Sequence, residues 1–284
     1  MERTHDQDKQ VLHEWRNNSP YWVKHSAILH SMLVPVTKAL IEQAEIREGQ
    51  HVLDIAGGAG EPALTIAREV GPTGRVMCTD AVPEMVTGAS ENAKGLGISN
   101  IDFRQCLADS LPFPDNSFDV VESRLGIMFF PEPLASIREM LRVLKPGGIV
   151  CMVVWHKSEV NPFCSIPSKI MGRHIETAPT DPDAPSAFRF AESGKLCGKL
   201  TEAGATNPKE RLLDFHLEAA ITPDEYWNFR STTSGTLREQ LRTLSHEQSE
   251  QIAMEVKDAI RPFFPAGRMR FPAMMLIVSG SKPL

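Results

Sequence analysis

Five short apolar runs alternate with amphipathic segments between residues 51 and 155, and this alternation restricts the possible folds most strongly. The runs have the length and composition of strands, and the segments between them place apolar residues at helical spacing. Chains with this alternation form a mostly parallel sheet with helices on both faces. The predicted strands cover residues 51–55, 75–79, 101–105, 118–123 and 149–155, and the predicted helices residues 61–70, 83–96 and 132–144.

The rest of the chain is predicted to add helices and two late strands. Residues 1–47 carry helical periodicity and are interpreted as an N-terminal lid of two or three helices, and residues 48–284 as the main domain. Residues 157–190 and 222–262 are predicted cap or insert segments, the first a proline-rich loop with one short helix near 166–175 and the second entirely helical. A further helix is expected near 191–204. Strands at 211–219 and 269–279 are compatible with an antiparallel hairpin that closes the sheet.

Composition excludes several classes of protein and partner. Hydrophobic residues make up 42% and charged residues 23% of the 284, which excludes disordered and disulfide-scaffold proteins. A net charge of −6 without a basic cluster argues against nucleic acid as a partner. The five cysteines form no metal pair, so no metal site is expected. The longest apolar runs have about seven residues against the ~20 of a membrane helix, and the polar N-terminus lacks a signal core, so we expect a cytoplasmic protein.

A glycine-rich turn, with the sequence VLDIAGGAGEP over residues 52–62, follows the first predicted strand. Such a turn leaves backbone amides free at the carboxyl edge of the sheet, where α/β proteins bind ligands. Gly58 and Gly60 lack a Cβ and would let a ligand approach the main chain. The alternative is a tight strand-to-helix connection that binds nothing.

Asp80 closes the second predicted strand, twenty residues after Gly60. A carboxylate at this place can accept two hydrogen bonds from the ribose diol of a nucleotide-type ligand. The alternative is an exposed turn aspartate before Pro83.

Two ligand classes fit this pattern, a dinucleotide and S-adenosylmethionine. Ala63 completes a dinucleotide fingerprint with Gly58 and Gly60. However, Asp54 would repel a pyrophosphate, whereas the ammonium and sulfonium of S-adenosylmethionine favour an acidic neighbourhood. Charge therefore favours the methyl donor.

In these motifs the chain resembles the class I methyltransferases, and most closely the ubiquinone/menaquinone biosynthesis C-methyltransferase group. The resemblance covers about residues 52–155 and rests on five motifs in order: VLDIAGGAG, GRVMCTDAVPEM, LADSLPFPDNSFDVV, RLGIMFF and EMLRVLKPGG. It implies a Rossmann-like, seven-stranded, mostly parallel sheet with an antiparallel C-terminal hairpin, and S-adenosylmethionine across the strand ends.

The resemblance also implies roles for individual residues. The cofactor would contact the glycine turn, the end of the second strand, the LADS segment and the residues after the fourth strand. These residues are Asp54, Ala56, Gly57, Gly58, Gly60, Asp80, Ala81, Met85, Leu107, Ala108, Asp109, Ser123 and Arg124.

The sequence departs from the family pattern at two of these positions. Ala56 replaces a glycine, a change expected to be tolerated if its φ stays negative. Leu107 stands where the family usually has an aspartate for the adenine amino group, which leaves the role of Asp109 open.

Candidate groups for proton transfer are Tyr21, His25 and His156. Tyr21 and His25 are four residues apart on one predicted helix face, whereas His30 is expected to point elsewhere. His156 follows a strand that ends at the functional edge of the sheet. Each histidine could equally be a surface or core residue. Arg124 could orient an acceptor carboxylate or phenolate, or pair with Glu122 or Glu132.

The predicted function is S-adenosylmethionine-dependent methyl transfer to an apolar small molecule that is quinone-like, aromatic or a natural product, with C- or O-methylation favoured. Tyr226, Trp227 and Phe229 mark residues 222–262 as a cap over the acceptor, or as a surface for a second subunit in a homodimer. Met128, Phe129 and Phe130 are expected in the core rather than at the substrate. The alternatives are a nicotinamide-dependent oxidoreductase and a non-catalytic binder of S-adenosylmethionine.

Overall fold

A computed structural model describes residues 5–175 and 181–284, with side chains from residue 11 onward. Seven strands form one sheet in the order β3-β2-β1-β4-β5-β7-β6. The strands β1 to β5 are parallel, and β7 pairs antiparallel with both β5 and β6. The predicted sheet and its closing hairpin are thereby confirmed. The strands are β1 His51–Ile55, β2 Arg75–Asp80, β3 Ile101–Gln105, β4 Phe118–Arg124, β5 Leu144–Trp155, β6 Thr206–Ala219 and β7 Met269–Ser281.

Ten α-helices accompany the sheet within the described ranges. The helix predicted near 166–175 begins earlier, because Pro162 takes the first position of a helix, where a missing N–H costs nothing. The predicted helical segment 222–262 contains three helices, two of which begin with capping boxes at Thr222 and Ser245. The helices are α1 His5–Lys24, α2 Ser26–Gln43, α3 Ala63–Glu69, α4 Pro83–Gly95, α5 Pro133–Val143, α6 Pro162–His174, α7 Lys195–Ala203, α8 Pro223–Thr233, α9 Gly235–Arg242 and α10 His246–Ile260.

The strand order places a crevice at the carboxyl end of β1. Chain order reverses there, since β1 lies between β2 on one side and β4 on the other. Connections from such neighbouring strands leave in opposite directions, and ligands of open α/β sheets bind in the gap between them.

The central strands are buried on both faces, as expected for a parallel sheet covered by helices. Val52 and Leu53 of β1, Val121 of β4 and Val150 and Val153 of β5 have no exposed surface. The crevice is therefore built on a rigid frame. Among the helices of the described ranges, none has the length and apolar composition of a membrane span.

Candidate cofactor and acceptor site

A cavity of about 620 Å³ opens at the carboxyl ends of β1, β2 and β4, beneath α1 and α2. Its size lies within the range of small-molecule and cofactor sites. Its walls come from the two N-terminal helices, the glycine turn, the end of β2, the LADS segment and the turn after β4. The lining residues include Trp15, Trp22, His30, Ala56, Gly57, Gly58, Glu61, Asp80, Ala81, Met85, Leu107, Ala108, Asp109, Arg124, Phe129 and Phe130.

Gly58 forms the open floor of this cavity. Its φ is +55°, in the left-handed region, and a Cβ built on it would meet no atom within 4 Å. The space beside Gly58 is therefore cavity rather than protein, which fits the predicted approach of a ligand to the main chain.

Gly57 and Gly60 serve packing, and Gly60 does not line the cavity. A Cβ on Gly57 would lie 2.5 Å from both Asp54 Oδ2 and Cys78 Sγ, and one on Gly60 would lie 2.8 Å from Leu64 Cδ1. The approach of a ligand at Gly60 therefore stays a prediction, and in the structure this glycine lets α3 and α4 pack closely against the turn.

Ala56 adopts a φ of +60°, so the condition of a negative φ, under which the alanine was expected to be tolerated, is not met. The left-handed conformation costs an alanine roughly 1 kcal/mol. The neighbouring Gly126 makes room for the alanine, since a Cβ on Gly126 would lie 2.7 Å from the Cβ of Ala56. The space that the alanine methyl group needs at position 56 is thus provided by the glycine at position 126.

Asp80 holds the glycine turn in place. Its Oδ2 accepts the Gly58 N–H at 3.0 Å and its Oδ1 accepts the Val82 N–H at 2.9 Å. Burial raises the pKa of Asp80 to about 6, against the opposing effect of these backbone hydrogen bonds. Each carboxylate oxygen keeps a second lone pair, so Asp80 retains two acceptor sites on the cavity. It is not the exposed turn aspartate of the alternative interpretation.

Asp54 and Ser123 do not line the cavity; both are fully buried behind its wall. Asp54 pairs in register with Glu122 of β4, and no N–H or O–H of the described residues donates to either Glu122 oxygen. Burial raises the pKa of both carboxyl groups, and their mutual contact raises that of Glu122 further. The two groups can hold a proton between them, so the argument that Asp54 presents a full negative charge to a phosphate is weakened.

At the far end of the cavity, Met85, Leu107, Ala108 and Asp109 come together. Met85 is buried, whereas Leu107 remains 45% exposed and forms an isolated bridge with Ser110. An exposed leucine against the cavity fits a position where the resemblance implies an adenine contact.

Leu107→Asp is expected to leave affinity for S-adenosylhomocysteine equal or to raise it severalfold. The new carboxylate would gain the adenine amino group as a donor, a bond of about 1 kcal/mol. Isothermal titration calorimetry measures this, with Leu212→Asp on the exposed outer strand as the control. A tenfold loss in a folded Leu107→Asp protein would place the adenine elsewhere.

Arg124 joins the N-terminal helices to the glycine turn. Its guanidinium donates to Thr37 Oγ1 at 2.7 Å and to the Glu61 carbonyl at 2.9 Å. The hydrogen bonds of Arg124 thus go to Thr37 and Glu61, while the nearby charge of Glu122 also favours its protonated form.

His30, and not His25, lies on the cavity wall. The imidazole Nδ1 of His30 is 2.9 Å from Glu61 Oε1. The expectation that His30 points elsewhere is wrong because α1 ends at Lys24 and α2 begins at Ser26, with His25 between them at φ −99° and ψ 13°. The inward face of α1 therefore does not continue into α2.

The three predicted proton-transfer groups are not among the described residues of the cavity wall. His25 packs edge-on against Phe229, and burial and then the charge of Lys24 lower its pKa. The Arg238 guanidinium lies over the Tyr21 ring. His156 Nδ1 lies 2.7 Å from the Ala191 carbonyl oxygen, a contact that ties two loops together. In the structure, Tyr21, His25 and His156 thus contact protein groups away from the cavity wall.

Aromatic side chains form one wall of the cavity. The Trp15 ring makes edge contacts with Trp22 at 5.6 Å and with Phe129 at 5.0 Å. Phe129 and Phe130 line the cavity, contrary to the expectation that they belong to the core, while Met128 is buried as expected. The seven-residue spacing of the tryptophans, two helical turns, could have identified this face from sequence.

The segment 222–262, predicted to cap the acceptor, contributes no residue to the described cavity wall. Its helices lie outside α1, where Trp22 Nε1 donates to the Thr233 carbonyl at 3.2 Å. Tyr226 is fully buried and stacks on Phe271, with its hydroxyl donating to the Phe163 carbonyl at 2.7 Å. The segment therefore packs against the outer side of α1 and holds this helix in position.

The cavity fits S-adenosylmethionine on its own chemistry. Gly58 leaves open space beside the main chain, Asp80 has free acceptor sites for hydroxyls, and Met85 offers an apolar surface for a ring. At the other end, Arg124 and Glu61 offer opposite charges to a zwitterionic amino acid group. No group of three or more His, Cys, Asp or Glu side chains in the described ranges could hold a metal ion.

Comparison with known proteins gives the same result. The ubiE/COQ5 methyltransferase family model matches residues 30–169. A ubiquinone/menaquinone biosynthesis C-methyltransferase, UbiE of Pseudomonas putida, is 43% identical over 118 residues, which are 41% of this chain and 46% of that protein. The chain thus spans about half the length of the curated relatives that it matches.

Two solved structures show the same fold. The YcgJ protein of Bacillus subtilis has a TM-score of 0.56 at 23% identity, covering 87% of this chain and 98% of that one. Phosphoethanolamine N-methyltransferase 2 of Haemonchus contortus, solved with S-adenosyl-L-methionine, has a TM-score of 0.52 at 19% identity, covering 88% and 52%. Residues 30–169 are thus similar to the ubiE/COQ5 methyltransferase family, and the chain as a whole shares its fold with these two solved structures.

Proposed function

We propose that this protein transfers the methyl group of S-adenosylmethionine to carbon or oxygen of an apolar, aromatic or quinone-like small molecule. The observation that carries the proposal is the division of one cavity into two parts. The glycine turn and Asp80 form a polar part suited to the donor, and Trp15, Trp22 and Phe129 form an aromatic wall suited to a flat apolar acceptor.

The similarity of residues 30–169 to C-methyltransferases of ubiquinone and menaquinone biosynthesis supports a quinone-like acceptor. Bound S-adenosylmethionine supplies an electrophilic methyl group on a sulfonium. The protein's contribution is to align the acceptor with that methyl and to exclude water. We propose that residues 1–47 act as the lid for this purpose, since α1 and α2 lie over the cavity.

The test is methyl transfer from S-adenosylmethionine labelled in the methyl group. The acceptors are 1,4-naphthohydroquinone and 2-naphthol, with imidazole-4-acetate as a polar control. Labelled product from an aromatic acceptor and none from the control is expected. Transfer to the polar control alone would contradict the proposal.

The two alternatives give different results in binding experiments. Calorimetry with S-adenosylhomocysteine and with NADH separates a methyltransferase from a nicotinamide-dependent oxidoreductase. A non-catalytic binder would take up S-adenosylhomocysteine and give no labelled product with any of a broad set of aromatic acceptors.

Trp15→Ala is expected to raise KM for the aromatic acceptor about tenfold, with affinity for S-adenosylhomocysteine changed less than threefold. Removing the indole takes away an apolar wall and its edge contacts, together worth about 1–2 kcal/mol. Steady-state kinetics and calorimetry measure the two effects. Equal losses of donor and acceptor affinity would show that Trp15 supports the whole lid rather than the acceptor.

A further inference from the structure

A histidine–glutamate pair lies on the wall of the cavity. His30 lies in α2 and Glu61 in the glycine turn, and their side chains meet at 2.9 Å between Nδ1 and Oε1.

Two further hydrogen bonds fix the position of Glu61. Its Oε2 accepts the Thr65 hydroxyl at 2.7 Å, and its carbonyl accepts from Arg124 at 2.9 Å. The Glu61 side chain is 16% exposed, against 44% for the His30 side chain. The carboxylate is therefore the fixed partner, and the imidazole is the partner that reaches into the open space.

The pairing sets the state of the imidazole. A carboxylate beside Nδ1 accepts a hydrogen bond from that nitrogen, so the neutral ring carries its hydrogen on Nδ1 and a lone pair on Nε2. Nε2 of His30 makes no hydrogen bond to the described residues.

The other carboxylates of the described cavity wall are engaged elsewhere. Asp80 is bound by two backbone amides at the ribose position, and Asp109 has an interaction of its own at the adenine end. His30 is the histidine among the described lining residues, on the same helix as the apolar lining residues Leu29 and Leu33.

We infer that His30 is the general base of the proposed methyl transfer and that Glu61 is its positioning residue; this inference rests on the proposed function. As the electron pair of the acceptor oxygen or carbon forms a bond to the methyl carbon, the acceptor O–H or C–H proton moves to His30 Nε2. The electrons of the broken S–C bond remain on sulfur, which becomes a neutral thioether. The imidazolium is stabilised by Glu61 and returns the proton to solvent.

Three variants test the inference: His30→Gln, Glu61→Gln and, as a control, His246→Gln, whose side chain is 88% exposed on α10. With 1,4-naphthohydroquinone as acceptor, kcat is expected to fall about 100-fold in His30→Gln and about 10-fold in Glu61→Gln, and to stay unchanged in the control. Affinity for S-adenosylhomocysteine is expected to change less than threefold in His30→Gln and in the control, whereas Glu61→Gln is expected to weaken it as well, because Glu61 also faces the amino acid group of the donor.

A second readout does not require turnover. In the complex with S-adenosylhomocysteine, 4-nitrophenol serves as the probe, and the absorbance of its phenolate reports where the bound phenol loses its proton. His30→Gln is expected to move this ionisation to higher pH, because the group that receives the proton is gone. A purely structural contact between α2 and the turn would leave the titration unchanged.

The outcomes separate the two proposals. Unchanged kcat and an unchanged 4-nitrophenol titration in His30→Gln would overturn the assignment of the base. If the wild type transfers no methyl to any aromatic probe, the proposed function fails, while the titration still tests His30. Should His30→Gln not fold, His30→Asn and Glu61→Gln provide the same comparison.

Discussion

Gly58→Val is expected to abolish measurable binding of S-adenosylmethionine and S-adenosylhomocysteine, with a loss of affinity of more than about 100-fold. A Cβ at this position meets no protein atom within 4 Å, so the branched side chain would project into the cavity. It would occupy the space beside the main chain that the ligand needs. Isothermal titration calorimetry on the folded variant measures the loss.

The same substitution at Gly267 is the matched control. Gly267 has a φ of +76°, and its Cβ would also meet no atom within 4 Å, but it does not line the cavity. Both variants place a β-branched residue in the left-handed region and should lose a similar amount of stability, roughly 1–2 kcal/mol. Loss of binding in Gly58→Val alone would locate the effect in the cavity. Normal binding by a folded Gly58→Val protein would make the glycine turn purely structural.

The strands and the glycine turn could be predicted from the sequence because their signals are local. The alternation of short apolar runs and the Gly-Pro punctuation depend on neighbouring residues, and the late strands at 206–219 and 269–281 were marked in the same way. The predicted boundaries differ from the observed ones by a few residues. Strands β5 and β6 each begin five residues earlier than predicted, and the added residues of β6 are mostly exposed.

The histidines could not be assigned in this way because their orientation depends on a break in a helix. Tyr21 and His25 share a face only if one helix runs through both, and the chain instead changes direction at His25. The partner of His30 is Glu61, thirty-one positions along the chain, and such a tertiary pair leaves no periodic signal. The location of residues 222–262 could not be predicted for a related reason: their amphipathic spacing predicts an apolar face but not the helix that covers it.

The charge at Asp54 shows a further limit of reasoning from sequence. The position of Asp54 before the turn predicts that its negative charge faces the ligand. Its register with Glu122 places two carboxyl groups in the interior, behind the wall. Strand pairing decides which of these carboxylates lines the cavity, and of Asp54 and Asp80 it is Asp80 that does so.

Asp80→Ala is expected to weaken binding of S-adenosylhomocysteine by about 1–3 kcal/mol, or roughly 5- to 150-fold. The ribose hydroxyls lose a charged acceptor, and the Gly58 and Val82 amides lose the carboxylate that holds the turn. Asp80→Asn, which retains one acceptor oxygen, should lose less. Calorimetry measures both variants, and unchanged affinity in Asp80→Ala would remove this residue from the ribose site.

The same carboxylate predicts a pH dependence with a definite sign. Burial raises the pKa of Asp80 from 3.8 to about 6 in the free protein, and the ligand hydroxyls require the ionised form. Affinity of the wild type should therefore fall as the pH is lowered through about 6, because ionising the carboxyl then costs free energy. For folding the sign is opposite, since the native state binds more protons than the unfolded state between pH 3.8 and about 6. The contribution of Asp80 to stability is thus lost as the pH rises through that window. Asp80→Ala should abolish both effects, and a variant whose affinity still falls below pH 6 as steeply as that of the wild type would show that another group is responsible.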